Sequence, residues 1–263
     1  MTATLKRWHL FLGLTFALPI VILGITGSVL AARDPIETML HPYRYAHPVA
    51  GPPQSRERIL ASAARAIRGL RVRRVTMPAN ALDFAEIFAV GGGRSERRSL
   101  ELSIDPVSLA VVRAFDPSRD FVGIVHRIHE TFAMGLAGRI VAGISGVAFT
   151  TLTLSGLPIA LRRVRTRPWT LRHTHGAAGL VSLAFLATLA VSGSVIAFAP
   201  LLHGDVPAWI RAIHQGTPNA AAWLAIECVA GFTPLFFAIT GVAMWARARR
   251  FVIPVAPGPP RVS

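Results

Sequence analysis

The chain has 263 residues, of which 52% are hydrophobic and only 16% charged, with a mean hydropathy of +0.49. A soluble domain carries roughly 25% charged residues, so a cytosolic enzyme, a secreted disulfide scaffold and a disordered chain are all excluded. The net charge of +15 would suit a nucleic-acid binder, but its placement along the chain argues for a membrane protein.

The first apolar stretch, Leu10–Ala32, runs 23 residues without a charge, behind Lys6-Arg7. A membrane span needs about 20 such residues. Its basic start and Val29-Leu30-Ala31 imitate a signal peptide, but the run exceeds the roughly 7–15 residues of a signal h-region. We read it as a retained helix.

Residues 33–125 hold 14 basic and 10 acidic residues. Pro42–Pro53 reads as a linker rich in Pro, Gly and His. Ser55–Arg68 has a helical period, with Ile59, Ala63, Ala66 and Ile67 on one face, Ser55 as N-cap and Gly69 as stop. Strand-like runs follow at Val72–Met77, Leu82–Val90, Arg97–Ile104 and Leu109–Ala114, with Gly91-Gly92-Gly93 as a hairpin turn. One helix and a small antiparallel sheet make an α+β module.

Three further spans are expected at Ile140–Leu161, Gly176–Leu202 and Ala220–Ala246. The last carries one charge, Glu227, a functional candidate by default, and the chain's single cysteine, Cys228, best read as core packing. Lys6-Arg7, the run Arg162–Arg172 and the tail from Arg247 hold eleven basic residues and no acidic one. With four alternating spans these segments share one side, which the positive-inside rule makes the cytoplasm, with both termini there. Nucleic acid is excluded as a partner; the lipid bilayer is expected.

The expected divisions are a first transmembrane helix over 1–32, an extracytoplasmic module with its linker over 33–120, and an outer histidine segment with the second span over 121–165. The third span lies in 166–203, and a second outer histidine segment, the fourth span and a cytoplasmic tail in 204–263. The fold class is an all-α polytopic four-helix membrane bundle with a small α+β extracytoplasmic domain.

The spans repeat in pairs. His9 precedes Gly27 by 18 positions, as His175 precedes Gly193, and the glycines Gly13 and Gly179 stand four after each histidine. His129 leads to Gly146 and Ser155-Gly156 at offsets that His214 matches to Gly231 and Thr240-Gly241. We read two parallel span-pair repeats, related by an axis along the membrane normal. That axis sets His9 opposite His175 at the cytoplasmic side and His129 opposite His214 at the outer side.

Two opposed imidazoles are too few for a tetrahedral zinc site, but they suffice to cap a haem iron from both faces within a helix bundle. Gly13 and Gly179 would make room for a flat macrocycle or, equally, let helices approach closely. The competing reading is four interfacial histidines without a ligand; their symmetric placement favours the first. His126, able to replace His129 if the helix rotates, His173 and His203 lie nearby, and His41 and His47 fall in the linker. No nucleotide loop, paired carboxylates or nucleophile motif is present, so no catalytic residue is assigned.

The stretches Trp8-His9-Leu10-Phe11-Leu12-Gly13, Ile128-His129-Glu130 with Gly135 and Gly138, His175-Gly176-Ala177-Ala178-Gly179, Ile213-His214-Gln215-Gly216 and Thr240–Trp245 together resemble the PepSY-associated transmembrane family. That family includes bacterial ferric-siderophore and ferric reductases. The module ending Ile104-Asp105-Pro106-Val107-Ser108 is similar to a PepSY domain, with Leu109 where the family usually has glycine. The resemblance implies a multi-pass protein of the bacterial inner membrane with two bis-histidine haems b, held by His9, His175, His129 and His214. Electrons from a cytoplasmic reductant or quinol would pass outward to ferric iron or a ferric chelate such as a siderophore complex. The alternative is a non-redox module, anchored by the bundle, that inhibits or senses an extracytoplasmic partner.

Overall fold

The computed structural model describes residues 3–40, 49–64, 66–79, 83–91, 98–164, 170–216 and 221–250. The expected linker histidines His41 and His47, and Gly92 and Gly93 of the hairpin turn, lie outside them. The chain divides into two compact units, one of residues 1–31 with 128–263 and one of residues 32–127.

Among the described residues of the first unit, four helices are long and apolar enough to cross a membrane: α1 (Ala3–Ala31), α5 (Gly135–Val164), α6 (Leu171–Phe198) and α8 (Ala221–Arg250). A lipid-facing helix has no solvent to turn a polar face towards, so these helices are apolar all round. Proline is tolerated inside three of them, at Pro19, Pro158 and Pro234. Thr170 caps α6, its Oγ1 accepting from the backbone N–H of His173 at 3.3 Å. Two short segments carry histidines beside the spans, the end of α4 (Phe121–Thr131) and α7 (Ala208–Gln215). Between α4 and α5 the chain reverses through three left-handed residues, Phe132 (φ 47°), Ala133 (φ 59°) and Gly135 (φ 60°).

The bundle is cross-packed: α1 lies chiefly on α8, and α5 on α6. Small residues make both contacts close. At the α1–α8 crossing a Cβ on Gly24 would strike the backbone of Gly231 and the Pro234 ring, and one on Gly231 would strike Ser28. Ser28 Oγ donates to the carbonyl of Cys228 at 2.8 Å, and Cys228 Sγ reaches the carbonyl of Ser28 at 3.7 Å. Cys228 is thus a packing residue of this crossing, and small-residue contact of this kind is how apolar helices associate in lipid. At the α5–α6 crossing Gly146 takes the same part against Ser194 and Ala190.

The second unit contains α2 (Arg33–Leu40), α3 (Arg56–Ala63) and four antiparallel strands, β1 (Arg71–Thr76), β2 (Ala85–Gly91), β3 (Arg98–Ile104) and β4 (Val111–Phe115), in the order β1-β2-β3-β4. Ile59 and Ala63 of α3 pack on Ala85, Ile87, Leu102 and Ile104. Ser55 is the N-cap of α3, as expected, its Oγ accepting from the N–H of Arg58. The helix ends at Ala63, short of Gly69, because its last bonds tighten to the i+3 spacing, beginning with Ala64 N–H to Ala61. Gly69 then supplies a left-handed turn at φ 77°.

The turn between β3 and β4 shows what Leu109 does in place of glycine. Asp105, buried, accepts from the backbone N–H groups of Val49, Val107 and Ser108 at 2.8–3.0 Å. Leu109 is left-handed, with φ 60°. The turn therefore keeps the backbone form that favours glycine, and Leu109 packs its side chain against the core of the unit.

Candidate functional site

All four repeated histidines belong to the helical unit, and each is held in the same way. His9 on α1 pairs through Nδ1 with Ser155 Oγ of α5 at 2.9 Å. His175 on α6 pairs with Thr240 Oγ1 of α8 at 2.6 Å. His129, near the end of α4, pairs with Thr26 Oγ1 of α1 at 2.9 Å, and His214 on α7 with Ser192 Oγ of α6 at 3.0 Å.

Each hydroxyl residue is followed by a glycine against which the imidazole lies. A Cβ would come within 3.3 Å of the His129 ring at Gly27, 3.4 Å of His9 at Gly156, 2.9 Å of His214 at Gly193 and 4.0 Å of His175 at Gly241. A Ser/Thr-Gly pair thus makes a seat: the hydroxyl fixes one ring nitrogen and the glycine clears the space the ring fills. The residues that sequence reasoning missed are Thr26, Ser155, Ser192 and Thr240. Their signal was present, since each immediately precedes a repeated glycine.

The histidines gather into two layers. His129 and His214 face one another with ring centroids 6.2 Å apart and planes inclined at 39°. His9 and His175 lie within electrostatic range of each other, and His175 also packs in a T-shaped arrangement with Phe237, ring centroids 4.9 Å apart. His9 and Thr26 are 17 residues apart on α1, as are His175 and Ser192 on α6, which is about 26 Å of helix. The layers therefore lie at opposite ends of α1 and α6.

A metal–imidazole bond of about 2 Å on each side, plus roughly 1 Å from each nitrogen to its ring centre, sets the centroids of a bis-imidazole pair about 6 Å apart. The His129–His214 spacing fits a metal centre between the rings. Burial also holds the His214 imidazole below its ordinary pKa, against an opposing backbone hydrogen bond at Leu189, and a neutral ring is the form that ligates. Gly13 and Gly179 are not close-packing glycines. A Cβ there would find ordinary contacts, with Leu152 at 3.7 Å and Phe237 at 4.0 Å. Among the described residues no group of three or more His, Cys, Asp or Glu side chains forms a metal cage. Two imidazoles per layer are a donor set that a planar ligand with its own equatorial donors would complete.

The profile of the PepSY-associated TM region matches residues 6–208. The chain belongs to that family. Three of the four seated histidines of this PepSY-associated TM protein fall inside the match, and His214 lies just beyond it. A comparison with curated proteins found no match.

The other histidines are placed differently. His126 is exposed on α4, three residues before His129, and His203 is exposed, left-handed at φ 54°, where it ends a short 3₁₀ turn over Ala199–Leu202. His173 is half-buried near the start of α6. Arg139 of α5 is ion-paired with Glu130, the neighbour of His129. Glu227 is buried on α8, within the fourth span.

Proposed function

We propose that this PepSY-associated membrane protein holds two bis-histidine haems b and passes electrons across the bacterial inner membrane to ferric iron or a ferric chelate. The observation that carries the reading is the fourfold seat: four histidines, each bonded through Nδ1 and packed on a glycine, in two opposed layers. Haem bound there would supply one-electron redox chemistry. The chain's own part is to hold two imidazoles per layer at fixed spacing and to enclose them among apolar helices. The matched seats also support an internal duplication, with spans α1 and α5 as one half and α6 and α8 as the other. Each seat is built within a half, whereas the close glycine crossings join one half to the other.

The donor would be a cytoplasmic reductant or quinol, with the inner layer nearest it. Residues 33–125, the PepSY-like module, would lie outside the cytoplasm and both termini inside, on the strength of the eleven unopposed basic residues in the short segments. Arg71, Arg73 and Arg74 are exposed along β1, and a cationic strand of this kind would steer anionic chelates.

An absorption spectrum of purified protein from haem-replete cells is the test. The reading requires a Soret band that shifts on reduction. A colourless preparation would overturn it and leave the bundle as an anchor for the sheet module.

A further inference from the structure

We infer that Thr26, Ser155, Ser192 and Thr240 are positioning residues that set the tautomer of the four histidines, keeping the proton on Nδ1 and the lone pair on Nε2. What that lone pair binds rests on the haem reading above; the tautomer itself does not.

Donor counting at the four hydroxyls fixes the tautomer. A hydroxyl has one proton to give and two lone pairs with which to accept. Each of these hydroxyls already has a carbonyl of its own helix as acceptor. Thr26 Oγ1 donates to Ile22 at 2.7 Å, Ser192 Oγ to Thr188 at 2.7 Å, Thr240 Oγ1 to Phe236 at 2.8 Å and Ser155 Oγ to Leu152 at 3.2 Å. A carbonyl cannot donate, so the hydroxyl proton is committed and the oxygen meets the imidazole as an acceptor. The imidazole must then bring the proton, on Nδ1.

With the other tautomer, the hydroxyl would have to turn its proton to Nδ1 and abandon the carbonyl. One hydrogen bond is lost, and water is not at hand to replace it around the buried Thr26, Ser192 and Thr240. Ser155 is only half-buried and has the longest carbonyl bond, so His9 is held least firmly of the four. Hydrogen bonding at one ring nitrogen is what fixes the ligating character of the other.

The test uses the full-length protein, labelled with ¹⁵N-histidine and reconstituted in lipid nanodiscs without haem. Single His→Ala variants assign the rings. We expect His129, His175 and His214 to show a protonated Nδ1 and an unprotonated Nε2. Thr26→Val should convert the His129 ring to a mixture of tautomers, and Thr26→Ser should keep the wild-type pattern. After haem is added, Thr26→Val should weaken binding by roughly 10–100-fold, with Thr26→Ser close to wild type.

A wild-type protein with Nε2 protonated in these rings overturns the inference without any variant. If haem binds while Thr26→Val keeps both the His129 tautomer and the affinity, the inference fails and the haem reading stands. If Nδ1 is protonated but added haem gives no Soret band, the tautomer assignment stands and the haem reading fails.

Discussion

A Cβ on Gly193 would lie 2.9 Å from Cε1 of His214, closer than packed atoms come, so glycine at 193 is what lets the ring sit. The same distance is 3.3 Å at Gly27, 3.4 Å at Gly156 and 4.0 Å at Gly241. Alanine substitutions should therefore form a graded series. Gly193→Ala should displace His214 and, on the proposed reading, lose the outer haem; Gly27→Ala and Gly156→Ala should loosen haem binding, and Gly241→Ala should be tolerated. Haem-to-protein ratios of the four variants check the order; equal losses at Gly193 and Gly241 would refute it.

The four histidines should behave as two pairs. On the proposed haem reading, His9→Ala and His175→Ala are each expected to lose the same, inner haem and leave the outer one reducible by an added donor. His129→Ala and His214→Ala should spare the inner haem and block delivery to iron. The reason is length: about 26 Å of α1 separates the layers, and no imidazole reaches across it. Loss of both haems from a folded His9→Ala protein would break the pairing.

Much of this was legible in the residues and some was not. The spans were, because an apolar run beyond 20 residues has few other uses in a chain. The histidine layers followed from matched offsets. The seats did not, because Thr26 meets His129 across 103 positions, and that register depends on how α4 turns back into α5. The reversal runs through Phe132 and Ala133 in left-handed form, a conformation their side chains do nothing to announce. The end of α3 at Ala63 was hidden for a related reason: the apolar period continues to Ile67, which packs on the same core from a turn.

Gly231→Ala should destabilise the bundle. The new methyl would lie 2.6 Å from the carbonyl of Gly24 and against Ser28, forcing α1 and α8 apart at a cost of about 1–3 kcal/mol. Gly13→Ala is the contrasting case, since its methyl meets only Leu152 at 3.7 Å; it should leave the midpoint of thermal unfolding unchanged or raise it. Thermal unfolding in detergent distinguishes them, and equal loss in both would show that α1 does not pack as described.

Asp105 gives the sheet unit an acid limit. Burial pushes its carboxyl up, but the N–H donors of Val49, Ser108 and Val107 more than reverse this and hold it below its ordinary value. A carboxyl lowered on folding stabilises above its unfolded pKa, and that contribution is lost as pH falls through the folded value. Exchange protection of the Val49, Val107 and Ser108 amides should be steady from neutral pH to about 5 and decline below about 4. In Asp105→Asn it should be weaker and lack that decline. A wild-type profile as flat as the variant's would rule this out.

The crossing of α1 on α8 also dictates an order of assembly. The ribosome makes α1 before α5, α6 and α8, yet the helix on which α1 chiefly rests is the last of the four to be inserted. Until then Gly24 and Ser28 lack the backbone of Gly231 and Cys228 that they meet in the finished bundle. Meanwhile the first helix is tied to its own half, through His9 to Ser155 of α5 and through Thr26 to His129 of α4, and arrival of the last span completes its packing.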